Sequence, residues 1–480
     1  MRINLNLKMT AWPASSDLAT NGAAMRKLSG ALLLIGSLLS AGALAGEGSP
    51  ALFPPAPATP AAEDESSPDR QTFAVHGQVT AATQAHPSFQ ARYTGNNSML
   101  PEAESATSLV ADLFAGVRPW RGAELYVQPE LTIGGGLSSS FGVAAYPSGE
   151  VYRVGSPDPT LYLARLFLRQ VIRLGGGKAR TEPGPNQLGG AHDRDTLTFL
   201  FGKLMVLDTF DNNSVSNDSH TRFMSWATIA SGAFDYAGDT RGYTWGASAD
   251  LTLEALSLRA GVYLEPLSAN LLTLEWNPLK SQSLVLECER RFEPLPGLRA
   301  AVRALVFRNN ARMGRYDEAM SAAGPPDVAL TRAYGRNKYG FAASWNQELT
   351  DTTWAFARVS ANDGATETWA YTEIDRSLAV GAVRTGSAWG RPRDEAGASL
   401  VVSGLSGKHR AYLAKGGYGF IIGDGALGRY GSELLAELYY RAQLGEHLQL
   451  SALYQPVVNP AYNTERGPIH IFTARVHLSF

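Results

Sequence analysis

The C-terminal segment of the chain alternates between apolar and polar side chains with a period of two. Its apolar positions are Phe472, Ala474, Val476, Leu478 and Phe480, and the polar positions between them are Thr473, Arg475, His477 and Ser479. Successive side chains of a β-strand point to opposite faces, so this spacing predicts a strand with one apolar and one polar face. The predicted strand ends on the aromatic residue Phe480.

The same two-sided pattern recurs in about sixteen segments of roughly 10–12 residues, the length that a tilted strand needs to cross a hydrocarbon core. The segments begin near Thr72, Thr107, Gly122, Tyr162, Thr196, Arg241, Leu256, Ser281, Leu298, Gly335, Thr352, Thr372, Ala396, Tyr430, Glu446 and Ile469. The segment at Tyr162 also fits an amphipathic helix, and at Thr352 either face fits the lipid side. We therefore predict an all-β fold, a transmembrane antiparallel β-barrel of about sixteen strands with inward-folded loops, and leave eighteen strands open.

The composition excludes a helical membrane protein. Hydrophobic residues make up 44% of the chain, charged residues 18%, and the mean hydropathy is −0.13. A helical span needs an apolar run of about 18 or more residues, and none occurs beyond the N-terminal region. The formal charge of −2 also argues against a nucleic-acid partner held by bulk positive charge.

The N-terminal region has the pattern of a secretory signal peptide. The short basic region Met25-Arg26-Lys27 precedes an apolar stretch at 28–39 and the small-residue motif Ala43-Leu44-Ala45, after which we predict cleavage. Residues 1–45 are therefore assigned to the signal, and the stretch before Met25 is interpreted as a spurious extension of the reading frame. A single membrane anchor is the alternative, which the shortness of the apolar stretch disfavours.

Residues 46–70 are rich in proline and carry an acidic run at 63–65, so they should form a disordered tether. The single cysteine, Cys288, excludes an intramolecular disulfide. Residues 71–480 are then the barrel domain. A large soluble β-sandwich or propeller would alternate in the same way, and the export signal together with the terminal Phe480 favours the barrel.

Several short stretches resemble those of one family of outer-membrane proteins. They are YTGNNS at 93–98, GAELY at 122–126, LARLFLRQ at 163–170, GPNQL at 184–188, GAFDYA at 232–237, RMGRYD at 312–317, WGRP at 389–392, RAYL at 410–413 and NPAYN at 459–463. In number and order they resemble the OprB-type carbohydrate-selective porins. The resemblance implies a sixteen-stranded outer-membrane barrel that admits sugars through a pore narrowed by inward loops.

The polar faces of two neighbouring predicted strands carry the side chains that a sugar site requires. Arginine forks and carboxylates can bond sugar hydroxyls, and an aromatic ring can pack against the C–H face of a pyranose. The candidate substrate-binding residues are Arg165, Arg169, Glu124, Glu130, Tyr126 and Phe167. The competing interpretation is that inward-facing arginines and carboxylates only neutralise each other. Alternative aromatic positions are Trp226, Trp245, Trp354, Trp369 and Trp389.

Three further segments have compositions that suggest special roles. The polar stretch 208–218 offers oxygen ligands for Ca²⁺, but without ordered acidic spacing it fits a solvated loop better. The apolar stretch 223–235 and the segment 410–422 fit inward-folded loops with short helices. No catalytic motif, metal-ligand pattern or cofactor motif is present in the sequence, so we predict neither an enzyme nor a cofactor.

The predicted function is passive, selective diffusion of mono- and disaccharides across the outer membrane of a Gram-negative bacterium. The alternatives are a porin for acidic solutes, whose carboxylates the arginines would bind, and, less favoured, an outer-membrane barrel enzyme. Expected partners are small carbohydrates, outer-membrane lipid and lipopolysaccharide, and the barrel-assembly machinery, which would contact the strand ending at Phe480. Association into homotrimers is left open.

Overall fold

Antiparallel β-strands form a closed barrel in which each strand pairs with its neighbours in sequence and the first pairs with the last. The computed structural model describes residues 71–151, 158–369 and 372–480. The signal peptide and the tether predicted for residues 1–70 lie outside these described residues. Within the described ranges the barrel has sixteen strands, which confirms the predicted number and shows that eighteen is wrong.

Each predicted segment overlaps one strand, and the segment at Tyr162 belongs to a strand rather than to a helix. The strands are β1 Phe73–His86, β2 Glu104–Val117, β3 Ala123–Gly134, β4 Thr160–Thr181, β5 Gly190–Leu204, β6 Thr244–Leu253, β7 Leu256–Leu264, β8 Gln282–Leu295, β9 Leu298–Met313, β10 Ala333–Thr350, β11 Thr353–Asn362, β12 Arg376–Gly386, β13 Arg391–Gly404, β14 Glu433–Leu444, β15 Leu448–Val458 and β16 Ile469–Ser479.

The alternation in sequence becomes an apolar outer face and a polar inner face. On β14, Leu438 is 50% exposed while its neighbours Glu437 and Tyr439 are buried. On β16, Val476 is 41% exposed and Arg475 only 1%. In a water-soluble sandwich the apolar face would be the covered one. The reverse arrangement, with leucine and valine outside and charges inside, is that of a barrel in lipid.

The barrel closes through the two terminal strands. In the register between β1 and β16, Gln78 lies opposite Ser479. Beyond this pair, the backbone N–H of Gly77 donates to the carbonyl of Phe480 at 2.8 Å, and the N–H of Phe480 donates to the carbonyl of Gly77 at 2.9 Å. The Phe480 ring covers Gly77 so closely that a Cβ there would lie 2.4 Å from Cζ.

The two ends of the barrel differ in the length of their connections. At one end, hairpins close through two or three residues at 254–255, 296–297, 351–352 and 445–447, whereas the opposite end carries long loops such as 205–243 and 405–432. Short turns face the periplasm in outer-membrane barrels, and longer loops face outward. The loops contain the short helices α1 Trp226–Ile229, α2 Tyr316–Ser321 and α3 Gly407–Ala414.

Two of these loops contribute to an apolar core inside the barrel. Loop 2 connects β3 to β4 and is described at 135–151 and 158–159; loop 3 spans residues 205–243 and includes α1. Their buried side chains, among them Tyr146, Phe223 and Trp226, pack with the inner faces of β11–β16. This confirms the inward folding predicted for residues 223–235. No helix in the described part of the chain is long and apolar enough to cross a membrane.

Candidate functional site in the lumen

Arginine–carboxylate pairs attach loop 3 to the barrel wall. Arg222 of the loop donates to Glu395 of β13 through Nε at 2.9 Å and Nη2 at 3.2 Å. The carboxylate of Asp211 accepts a hydrogen bond from Nη1 of Arg358 on β11 at 2.5 Å. The backbone N–H of Asp211 donates to Glu287 of β8 at 2.7 Å. These contacts reach three separate strands, so loop 3 is fixed across the lumen rather than free in solution.

Two inner-face carboxylates of β14 bind backbone groups of the loops. Glu437 accepts the N–H groups of Met224 and Ser225 at 2.6 and 3.1 Å. Glu433 accepts those of Ala144 and Ala145 at 2.9 and 2.8 Å. Both side chains are buried. Both lie on the lumen side of β14, where they anchor the two loops.

Loops 2 and 3 contact each other through an ion pair. Nδ1 of His220 in loop 3 lies 3.0 Å from a carboxylate oxygen of Glu150 in loop 2. Burial lowers the pKa of His220, but the charge of Glu150 more than offsets this and raises it to about 10. For the acid Asp218 burial acts in the opposite direction and raises the pKa, but the positive charges of His220 and Arg222 outweigh it and bring this pKa below its usual range. His220 is therefore cationic at neutral pH, which holds the two loops together.

The strand pair β3–β4 brings the predicted site residue Arg165 to the start of loop 3. Arg165 binds Asp208 with Nε and Nη2 at 2.8 and 2.7 Å, a bidentate geometry. Its Nη1 donates to Gln128 of β3 at 2.6 Å. Both charged side chains are partly exposed, Arg165 at 13% and Asp208 at 27%. The pair thus presents a cation and an anion side by side at the lumen surface.

Arg169 and Glu124 form a second pair, four residues further along β4 towards the short-turn end. The carboxylate of Glu124 accepts hydrogen bonds from Nη1 of Arg169 at 3.1 Å and from Nη2 of Arg118 at 2.9 Å. The rings of Tyr126 and Phe167 stack on each other with centroids 5.1 Å apart, and the Arg169 guanidinium lies over both. Tyr126 is only 2% exposed, so the two rings support Arg169 instead of offering an open face to the lumen.

Glu130, the remaining predicted site residue, lies beneath the surface of the site. It accepts hydrogen bonds from the hydroxyl groups of Tyr162 and, at 2.6 Å, Tyr243. Its side chain is buried, so it stabilises the wall next to Arg165. The alternative aromatic positions do not form a platform either. Trp226 and Trp369 are buried, and Trp354 of β11 is partly buried against the apolar core. Trp245 packs against Trp276, and Trp389 lies in the short turn between β12 and β13.

A further set of pairs lines the wall formed by β6–β10. Arg259 binds Asp250, Glu287 and Glu289 at 2.8, 2.6 and 3.0 Å. Arg303 also binds Glu289, at 2.9 Å, and Arg299 binds Glu348 at 2.6 Å. Alternation along β7 and β9 places all three arginines on the inner face. The structure adds that each of them has a carboxylate partner.

Asp208 is the functional candidate that sequence reasoning did not single out. It lies at the edge of the polar stretch 208–218, which had been considered only as a Ca²⁺ or solvated loop. Its partner Arg165 is 43 positions earlier in the chain, and only the inward path of loop 3 brings them together. Among the described residues, no group of three or more His, Cys, Asp or Glu side chains is arranged to hold a metal ion.

Comparisons with known proteins identify the family of the chain and support its fold. Residues 97–480 match the model of one family, described as the carbohydrate-selective porin, OprB family. The high-pH structure of OprB from Pseudomonas putida aligns with 85% of this chain and 94% of its own, at 16% identity and a TM-score of 0.65. At that identity the likeness concerns the fold.

Two more distant alignments cover similar shares of the chain. The low-pH structure of P. putida OprB covers 85% of this chain and 93% of its own, with 12% identity and a TM-score of 0.46. The outer-membrane channel DcaP of Acinetobacter baumannii covers 85% and 97%, with 10% identity and a TM-score of 0.48. No curated protein matches the sequence.

Proposed function

The chain belongs to the OprB family of carbohydrate-selective porins, and we propose that the Arg165–Asp208 pair is the point in its lumen where sugars are selected. The protein is a channel of the Gram-negative outer membrane that admits carbohydrates by passive diffusion. The observation that carries the proposal is the position of this pair. It joins the barrel wall to the inward loop, and both of its side chains are partly exposed.

The chemistry of the pair suits a polyhydroxylated neutral solute. A guanidinium offers several donors in a fixed plane and a carboxylate offers acceptors, so neighbouring sugar hydroxyls can bond both at once. Each bond to the sugar replaces one to water, so the net gain is small. Weak binding is what a channel requires, because a tightly held ligand would block it.

The pairing of the lumen arginines favours neutral sugars over acidic solutes. Arg165, Arg169, Arg259, Arg299 and Arg303 all have carboxylate partners within 3.1 Å. An anion would have to displace a resident carboxylate from each guanidinium, whereas a hydroxyl can join an existing pair. The porin for acidic solutes is therefore the second candidate function.

The family and fold indicate a channel rather than an enzyme, and we propose that the lumen groups carry out no chemistry on the solute. We also propose three further partners. Outer-membrane lipid and lipopolysaccharide would contact the apolar outer face, and the assembly machinery would bind the strand that ends at Phe480. Association into a homotrimer is testable by cross-linking in outer-membrane vesicles.

Reconstitution into planar bilayers tests the proposed site. The wild-type channel should lose conductance in a saturable manner as a neutral sugar is added. Arg165→Ala should require roughly ten-fold more sugar for the same block, since about 1.4 kcal/mol of binding free energy corresponds to a factor of ten. Arg290→Ala, on the exposed outer face of β8, is the matched control. Equal sugar block in Arg165→Ala and the control would remove this pair from the selective site.

A further inference from the structure

Strands β4 and β5 continue past their neighbours at the short-turn end of the barrel. The pairing of β3 with β4 begins at Ala123 and Gln170, and the pairing of β5 with β6 ends at Thr196 and Thr252. Beyond these points β4 and β5 pair only with each other, as far as Thr181 opposite Gly190. We call residues 174–195, this two-stranded extension with its connecting hairpin, the flap.

Three consecutive glycines bend the flap. Gly175, Gly176 and Gly177 have φ angles of 98°, 74° and 88°, which side chains other than glycine rarely adopt. The register between the two strands shifts on both sides of Gly175, as expected where extra residues interrupt a ladder. The Lys178–Asp193 ion pair at 2.6 Å and a bond from the Gly175 N–H to Asp193 at 3.0 Å fix the bend.

Because of this bend, the hairpin of the flap returns to the inner face of the barrel. The N–H of Leu188 donates to the hydroxyl of Tyr126 at 3.1 Å. Nδ2 of Asn186 donates to Oε1 of Gln128, also at 3.1 Å. The guanidinium of Arg118 donates to the carbonyls of Leu188 and Gly189 in the flap, at 3.1 and 3.0 Å. Tyr126 and Gln128 are inner-face residues of β3, so the hairpin enters the lumen.

The tip of the flap shares a side chain with the proposed selective pair. The same oxygen of Gln128 that accepts from Asn186 also accepts Nη1 of Arg165, at 2.6 Å. We propose that the flap forms a second constriction on the periplasmic side of the Arg165–Asp208 pair, with Asn186 as a further residue that determines which sugars pass. This inference rests on the proposed function of the Arg165–Asp208 pair, because it places the flap and that pair in series along the pore.

Closing the hairpin between β4 and β5 does not require the flap. Other hairpins at this end of the barrel close through two or three residues, for instance at 254–255 and 445–447. Asn186 has a left-handed backbone with φ of 53°, and its amide oxygen is buried without a hydrogen-bond partner. The flap therefore adds length, and a polar side chain at its tip, that closure of the hairpin alone does not need.

Deletion of the flap is the first test. Arg173 and Thr196 face each other, so an Asn-Gly turn can join them in place of residues 174–195. The shortened channel should conduct about two-fold better and admit longer oligosaccharides into liposomes, because the narrower of two constrictions in series limits flow. Heat-modifiable migration on gels verifies the folded barrel. Unchanged conductance and an unchanged size limit in a folded barrel would overturn the proposal.

A cysteine at the tip tests the same idea without removing any residue. Asn186→Cys is introduced into a Cys288→Ala background, since Cys288 is an exposed residue on the outer face of β8. A charged methanethiosulfonate reagent should lower the current through this channel. Glu446→Cys, in the exposed turn 445–447, is the control that should react without changing the current. Labelled Asn186→Cys with full current would place the tip outside the pathway.

The two proposals fail in different ways. If the flap is the second constriction and Arg165–Asp208 selects sugars, the deletion variant retains saturable block by a monosaccharide while its size limit rises. Loss of that block only in Arg165→Ala, with an unchanged size limit in the deletion, would support the selective pair and overturn the flap. A raised size limit in the deletion, with wild-type block in Arg165→Ala, would support the flap and overturn the selective pair.

Discussion

Arg165 neutralises a carboxylate of the lumen, and we propose that it also binds sugars; the sequence alone could not separate these two roles. Its spacing on β4 places it on the inner face, where it neutralises Asp208 and hydrogen-bonds Gln128. The pair is partly exposed, so a solute in the lumen can reach it. Its charge and its hydrogen bonds can be varied independently, which allows the two roles to be distinguished by substitution.

Removing one charge of this pair should change ion selectivity, and removing both should restore it. Arg165→Gln leaves Asp208 unpaired and should shift the reversal potential in a KCl gradient towards cations. The double variant Arg165→Gln with Asp208→Asn restores neutrality and should return to the wild-type potential while its sugar block remains weak. Wild-type sugar block in the double variant would mean that the charges contribute nothing to sugar binding.

At the scale of elements, loop 3 depends on carboxylates of the barrel wall. Glu437→Ala would leave the N–H groups of Met224 and Ser225 buried without partners, at a cost of about 1–3 kcal/mol each. We expect the loop to loosen and the single-channel current to become noisier. Glu437→Gln retains one acceptor and should be intermediate. A steady current in Glu437→Ala would show that the Arg222 and Arg358 contacts suffice.

The contact between loops 2 and 3 should weaken in alkali. The pKa of His220 rises from 6.5 to about 10 on folding, so its stabilising contribution is full below 6.5 and is lost as the pH rises through about 10. Groups that face His220 are Glu150, Asp112, Asp218 and His477. Conductance should therefore increase between about pH 8 and about pH 11 in the wild type but not in His220→Gln. An equal increase in both would assign the change to other groups.

At the scale of the whole molecule, closure of the barrel depends on Phe480. Its backbone forms the last two hydrogen bonds to Gly77 and its ring covers that glycine. Deleting Phe480 should lower the yield of heat-modifiable barrel in the outer membrane, because the closing strands lose both bonds. Phe480→Tyr, which keeps the backbone and an aromatic ring, is the control. A normal yield after the deletion would show that the remaining register is sufficient.

The strands could be predicted from sequence because the inner or outer position of a residue is a local property. For example, counting alternate residues along β7 and β9 is enough to place Arg259 and Arg303 on the inner face. Their partners could not be predicted in this way, since they depend on register between strands. Tyr126 shows a different limit. The face of the strand on which it lies was predicted. Its burial was not, because the flap that covers it contacts it through Leu188, 62 residues later in the chain.

The filling of the lumen by loops divides the barrel into two regions for the protein engineer. Along β11–β16 the inner wall is packed with apolar side chains of loops 2 and 3, so substitutions there should alter yield and thermal tolerance. Partly exposed arginines that are paired with carboxylates lie on β4, β7, β8 and β9, and substitutions there should alter what passes. A library aimed at new cargo can therefore be confined to a few strands, while the packed wall serves as a fixed scaffold.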